Sequence, residues 1–300
     1  MRITLKQLAI FEAIARTGQV AKAAQQMNLS APATSMALAE LEKQIDARLF
    51  ERIGNKLRLN SQGSLLLPLA TEAIQKVEQI EHLFNAPEQS LHGTLNVAAS
   101  STIGNFLLAK KSVAFCQQHT GVKVDLDIDN THAVIDAVLE FRSEIGFIEG
   151  DCVDSRLKVQ PWHRDKLVVF CHPAHPLAGK TVQPEQLNDQ FWVMREAGSG
   201  TRDYFIRNAN ALNIRVQERF SFSTPEAIKQ AVKQGAGLAV LSELTVQKEV
   251  NRKELAVINV EGLALSRQFY LIRHKSRQRT TLSDAFVEFC EKSGMGSEVD

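Results

Sequence analysis

Residues 18–49 read GQVAKAAQQMNLSAPATSMALAELEKQIDARL, and this stretch decides the fold. Val20, Ala23, Ala24 and Met27 recur at helical spacing, and Asn28-Leu29 interrupts the pattern. Ser30 reopens a helix as its N-cap, with Pro32 tolerated inside the first turn. Leu38, Leu41, Ile45 and Leu49 then fall on one stripe of that second helix. Two short helices joined by a tight turn, the first Ala-rich so that backbones pack closely, satisfy a helix-turn-helix. An ordinary αα-hairpin satisfies the same pattern, so the flanks have to decide.

Upstream, Leu5, Leu8, Phe11 and Ile14 share the inner face of another helix. Downstream, Leu49-Phe50-Glu51-Arg52 and Lys56-Leu57-Arg58-Leu59 form two short strands around a Gly54-Asn55 turn. The whole predicts a winged helix-turn-helix. In these sixty residues the chain resembles the DNA-binding domain of the LysR-type transcriptional regulators. The matching residues are Leu5, Leu8, Phe11, Ala23-Ala24, Leu29-Ser30, Pro32, Ser35, Leu41-Glu42, Leu49-Phe50-Glu51-Arg52 and Leu59-Asn60. The resemblance implies double-stranded promoter DNA, a second copy in a homodimer or tetramer, and RNA polymerase as partners. It assigns Ser30, Ala31, Pro32, Thr34 and Ser35 to the base-reading helix, and Arg52, Lys56 and Arg58 to phosphate contacts from the wing.

Three hundred residues exceed what one core organises, so two or three domains are expected. An apolar fraction of 44% suffices to bury their cores. No run of eighteen apolar residues exists and the chain opens on a polar-punctuated helix, which predicts neither membrane span nor signal peptide and a cytoplasmic protein. Cys116, Cys152, Cys171 and Cys290 are far apart, without a C-x-x-C, and read as reduced buried thiols. Residues 1–60 hold nine basic side chains against five acidic ones, a net +4, whereas the remaining 26 against 29 give −3. That asymmetry suits a polyanionic partner for the head alone.

After the wing, Ser61-Gln62-Gly63 opens a long helix to about Phe84. Leu66, Ala70, Ala73, Val77, Ile80 and Phe84 make an a/d seam for dimerisation, and Pro68 is expected to kink the helix or displace its start. Asn85 to Ser90, with Pro87, reads as a hinge. From Leu91 the period changes. Strands over Thr94–Ala99, Val122–Ile128 and Glu144–Ile148 alternate with helices after Ser100 and over Thr131–Phe141. Lys166–Phe170 carries the chain into a second lobe with Phe191–Met194, Val216–Phe222 and Leu238–Leu241, helices following Gly200 and Thr224. Gln268–Arg273 returns and Leu282–Cys290 closes the first lobe as a helix. This alternation predicts an α/β fold with mostly parallel sheets. Two lobes joined by two crossings resemble the type II periplasmic-binding-protein fold, the usual effector domain of the family. The expected domains are a head (1–60), a linker helix and hinge (61–89) and an effector domain (90–300). Its lobes cover about 90–164 with 268–300, and about 165–267.

Such lobes bind ligands where strands end and helices begin. Ser100, Ser101 and Thr102 supply hydroxyls after the first strand. Gly198, Ser199, Gly200, Thr201 and Arg202 supply small residues, hydroxyls and a guanidinium at a helix start, which favours an anion. Ser and Thr also cap helices routinely, and plain capping explains either group alone. The strings at 100–105, 141–142, 145–150 and 195–202 resemble the LysR branch that includes sulfite-responsive regulators of sulfur metabolism, which implies a small oxyanion effector. Glu149 ends a strand beside this cleft, as a selector for a protonated anion, a partner of Arg202, or an ordinary salt-bridged carboxylate.

One departure concerns DNA readout. Ala31, Met36 and Ala37 stand where many family members carry polar or basic residues, which leaves Ser30, Thr34 and Ser35 as hydrogen-bonding readers. Ala31 or Ala33 can touch thymine methyls, and phosphate contacts and DNA bending carry more of the recognition. His172 and His175 lack a further ligand at zinc spacing, Gly198-x-Gly200 lacks a third glycine, and no nucleophile elbow occurs. No cofactor, metal or enzymatic activity is expected. A solute-binding protein and an enzyme on the two-lobed fold are the rival readings, and both leave the first sixty residues unexplained.

Overall fold

Thr4 and Gln7 close a capping box at the start of α1 (Leu5–Thr17), and Gly18 ends that helix in the left-handed region. α2 (Val20–Gln26) follows, then Asn28 at φ 52 turns the chain. The Ser30 side chain accepts the Ala33 N–H and starts α3 (Ala31–Ile45). The computed structural model describes residues 3–54, 56–85 and 91–292. Arg2, Asn55 of the wing turn, the hinge residues 86–90 and the Phe84 side chain lie outside that description. β1 (Phe50–Ile53) and β2 (Lys56–Leu59) pair antiparallel as the wing, in the register Glu51 to Arg58.

The head core gathers Ile10, Phe11, Ile14, Ala23, Leu38, Leu41 and Leu49. Leu5, expected on the inner face, is exposed, and Ile10 and Ala13 take the buried places. Thr34 is buried and its hydroxyl donates to the Ser30 carbonyl, so it cannot serve as a base reader. The reason is periodic: Thr34 lies four residues before Leu38 and seven before Leu41, on the stripe that faces the core.

α4 (Ser61–Asn85) is capped by Asn60, whose side chain accepts the Gly63 N–H at 2.9 Å. It runs unbroken through Pro68. The missing Pro68 N–H removes one ladder bond, and the remaining turns of a 25-residue helix keep its course. The expected seam needs correction. Leu67 and Ala70 are buried in the head's own core and Leu66 packs against it. Thr71 donates to Glu12 of α1 at 2.5 Å. Among the described residues, the large apolar side chains left open on α4 are Leu65 (67% exposed), Leu69 (63%) and Ile80 (54%). Head packing claims one face of the first turns, so the open positions there fall one residue before Leu66 and Ala70, while Ile80 of the expected seam is itself exposed.

The chain divides into two compact units. One comprises Met1–His92 with Glu140–Arg142 and Lys275–Thr280, and the other Gly93–Leu139, Ser143–His274 and Thr281–Asp300. β3 (His92–Ser100) leads from the first unit into the second, followed by α5 (Ser101–Ile103), a π-turn at Gly104–Leu108 and α6 (Ala109–Gln118). β4 (Gly121–Asp129), α7 (Thr131–Leu139) and β5 (Ile145–Glu149) complete the first lobe's entry. α7 stops two residues short of the expected end, because Phe141 takes φ 57.

β6 (Leu157–Cys171) is the longest strand and passes from lobe to lobe. Its alternating polar first half conceals it in the sequence. The second lobe contains β7 (Thr181–Val182), a 3-10 turn at Pro184–Leu187, β8 (Phe191–Arg195), α8 (Gly200–Ala211) and β9 (Gln217–Phe222). α9 (Pro225–Lys233), β10 (Leu238–Ser242), α10 (Glu243–Asn251) and β11 (Ala256–Val260) follow. β12 (Ser266–His274) returns, and α11 (Thr281–Lys292) closes the unit. The order β4-β3-β5-β12-β6-β10-β8-β9 makes one sheet, with β11 on β6. β12 pairs with β6 up to Lys166, and β10 pairs with it from Leu167 onward, so the crossings fall at Lys166–Leu167 and Leu265–Ser266. Parallel pairs β3–β5, β10–β8 and β8–β9 put strand ends and helix starts together in each lobe.

Candidate functional site

The carboxyl ends of β3 and β5 in one lobe meet the start of α8 in the other at a buried polar network. Glu149 is its centre. One carboxylate oxygen accepts the Thr102 N–H at 3.0 Å, and the other accepts the Thr201 hydroxyl at 2.7 Å and Arg267 Nη1 at 2.9 Å. Arg267 Nε donates to Asp165 at 2.7 Å, and the other oxygen of Asp165 accepts the Ser242 hydroxyl at 2.6 Å. Arg267, Glu149 and Asp165 are all buried. Burial pushes the Glu149 carboxyl up, but Arg267 and the bonds from Thr201 and Thr102, with Arg195 behind them, hold it at about 2. Two carboxylates around one guanidinium, with hydroxyls on the spare lone pairs, give every charge a partner.

This network corrects two expectations. Glu149 is a salt-bridged carboxylate whose oxygens are both occupied, so it cannot take a proton from a ligand. Its partner is Arg267. Arg202 instead donates to the Arg195 carbonyl at 2.8 Å and to Glu218 at 2.6 Å. The glycines also serve another purpose. A Cβ on Gly200 would lie 2.0 Å from the Glu149 carbonyl oxygen, so the bare backbone admits the neighbouring lobe there. The Gly198 carbonyl accepts the His132 N–H at 3.2 Å. Thr131 donates to the Glu149 carbonyl at 3.2 Å, which ties α7 to the same point.

The remaining candidates stay near this contact. Ser100 is the buried N-cap of α5, and its hydroxyl has no hydrogen-bond partner among the described residues. The Ser101 hydroxyl donates to the Asp129 carbonyl at 3.3 Å and receives Arg195 Nη2 at 3.4 Å. Arg195 is buried and bidentate to Glu196, at 2.7 and 2.8 Å. Ser199, also buried, is the N-cap of α8 without a side-chain cap bond. Sequence reasoning missed Arg267, Asp165 and Ser242 as members of this centre, and held Arg195 only as the first residue of the 195–202 string. Only Arg195 had a local signal, as the residue between a buried strand and the glycine loop.

In the head, Ser30, Ala31, Pro32 and Ser35 are exposed on the first turns of α3, and Arg52, Lys56 and Arg58 are exposed on the wing. His172 and His175 accept the Ala174 and Leu177 N–H groups as turn residues. Cys171 and Cys290 are buried thiols pushed up to about 11 and about 12 by burial, whereas Cys116 and Cys152 are half-buried. Among the described residues no helix is long and apolar enough to cross a membrane.

Residues 5–64 match the bacterial regulatory helix-turn-helix protein family of lysR type, and residues 88–294 match the LysR substrate binding domain. The HTH-type transcriptional regulator YeiE of Escherichia coli K12 is 34% identical over 98% of this chain and 99% of its own. The RuBisCO operon transcriptional regulator of Allochromatium vinosum is 30% identical over 96% of each. Full-length OxyR from Pseudomonas aeruginosa superposes with a TM-score of 0.75 at 20% identity, covering 97% of this chain and 95% of that one. The Synechocystis CcmR regulatory domain in complex with 2-PG gives a TM-score of 0.64 at 27% identity, over 68% of this chain and 98% of that one. Head, wing, linker helix and two-lobed domain all agree with these matches, and the chain belongs to the LysR family of transcriptional regulators.

Proposed function

We propose that this DNA-binding regulator is governed by a small oxyanion that binds beside the Glu149 network, with sulfite and related sulfur oxyanions as the first candidates. The observation that carries the reading is the Ser100 hydroxyl, buried without a partner at a helix start. A buried hydroxyl left unpaired costs about 1–3 kcal/mol, which an anion accepting its proton recovers. Arg195 lies one residue away through Ser101, and the uncapped start of α8 adds a positive helix end. The CcmR regulatory domain is in complex with 2-PG, which is in keeping with a small-molecule ligand here.

A thermal-shift series on the full chain with sulfite, sulfate, thiosulfate, 2-PG and small carboxylates tests this. One oxyanion is expected to raise Tm in a concentration-dependent way. Ser100→Ala should abolish that rise and leave the unliganded Tm unchanged or higher. A rise retained in Ser100→Ala would place the anion elsewhere.

We read the DNA contacts as bases from the start of α3 and phosphates from the wing, with paired subunits meeting along the open Leu65, Leu69 and Ile80 stripe. Arg58→Ala should weaken binding to every duplex alike and lower the slope of log K against log salt by about one. A loss confined to particular sequences would move Arg58 from phosphate to base contact.

A further inference from the structure

Along α3 the buried stripe of Thr34, Leu38 and Leu41 fixes which side chains face outward. At about 100° per residue, Met36 points about 200° from Thr34, straight away from the core. It is 73% exposed, the largest apolar side chain open on this helix. Pro32, Ala33 and Ala39 are exposed around it, and none of the three carries a side-chain hydrogen-bonding group. Ser35 is exposed on the shoulder beside them, and Lys43 and Glu40 face outward a turn further on, Glu40 held by Gln44 at 3.2 Å. The outward centre of the first two turns therefore offers methyl groups and a thioether. Exposed Lys22, Lys43, Arg52, Lys56 and Arg58 belong to the same unit, so the occupant this face suits is a polyanion with an apolar feature. In the major groove of B-DNA that feature is the thymine C5-methyl group.

Resting on the DNA-binding reading above, we propose that Met36 is a specificity-determining residue. Its thioether side chain, flanked by Ala33 and Ala39, reads thymine methyls, so the operator is recognised at these positions by apolar contact. Hydrogen bonds from Ser30 and Ser35 then fix only the neighbouring bases. A thioether packs against a methyl without needing a fixed donor geometry, which suits it to a run of thymines rather than to one base.

The test starts from duplexes enriched by the full chain from a randomised 30-bp pool. Each thymine in the enriched sequence is then replaced by deoxyuridine, which deletes the methyl and keeps the Watson–Crick pairing. The parent is expected to lose about 4-fold in affinity at one or two thymines of each half-site, the equivalent of one buried methyl group at about 0.8 kcal/mol. Met36→Ala should bind the parent duplex more weakly and lose this sensitivity. Met36→Leu should retain it, and Arg58→Ala should keep it intact while weakening every duplex. Because Met36 is exposed, these substitutions leave the head core untouched. A parent that binds its enriched duplex but tolerates deoxyuridine at every position overturns the inference alone. So does an undiminished deoxyuridine penalty in Met36→Ala. Failure to enrich any sequence from the pool overturns the DNA-binding reading as well.

Discussion

Arg267→Met is expected to destabilise the effector domain by roughly 3–5 kcal/mol, because it leaves two buried carboxylates without their shared counter-charge. Glu149 and Asp165 both touch that guanidinium, at 2.9 and 2.7 Å, and neither reaches solvent. Methionine fills a similar volume and retains the packing on Phe269, whose ring centroid lies 5.0 Å from the Arg267 guanidinium carbon, so the loss reports charge rather than a cavity. The readout is built in: both tryptophans, Trp162 and Trp192, belong to this unit. Urea unfolding of the full chain followed by tryptophan fluorescence should show a lower midpoint. A change within 1 kcal/mol would mean that the network is neutral to folding.

The same network sets an acid limit. Glu149 titrates near 2 in the folded chain against an ordinary 4.5. A carboxylate held low when folded stabilises the protein fully above its unfolded value and loses that contribution as protons bind the folded form. The parent should therefore weaken as pH falls from about 4.5 toward about 2. In Arg267→Met the Glu149 carboxyl loses its main opposing charge and burial pushes it up, so the loss of stability between about pH 4.5 and 2 should be smaller than in the parent.

Gly200→Ala is the second large effect. Helix propensity alone favours alanine by roughly 0.5–1 kcal/mol inside a helix. Here the added Cβ would lie 2.0 Å from the Glu149 carbonyl oxygen and 2.7 Å from Thr131 Oγ1, so backbone has to move. Overpacking of this kind costs about 1–3 kcal/mol, and the steric effect wins. The start of α8 must withdraw from the end of β5, which also pulls Thr201 off Glu149 one residue further on. The expected result is a lower Tm together with loss of any oxyanion-induced rise. An alanine variant with parental Tm and parental ligand response would show that the two lobes do not need this close approach.

These outcomes separate what local sequence carries from what it does not. The helix-turn-helix, the wing and the strand–helix alternation are periodic features, written in positions two, three or four residues apart. Thr34 shows how far that legibility extends: its hydroxyl suggests a base reader, but its place on the Leu38–Leu41 stripe already marks it as buried. Ala70 shows the opposite case. The seam of α4 is visible in the sequence, but which face the head itself covers depends on Leu67 and Ala70 joining the core beside α1.

The sequence by itself determined a winged head followed by two α/β lobes, and the helix starts that gather at the Glu149 network, because both rest on short-range spacing. Tertiary structure alone decided what Glu149 does. Its partner Arg267 is 118 residues away and Asp165, the second carboxylate, is 102 from Arg267. Strands β6 and β12 bring them together by crossing between the lobes side by side. A buried charge is tolerated only where opposite charge and hydrogen bonds converge on it in space, and spatial convergence leaves no local pattern in the chain.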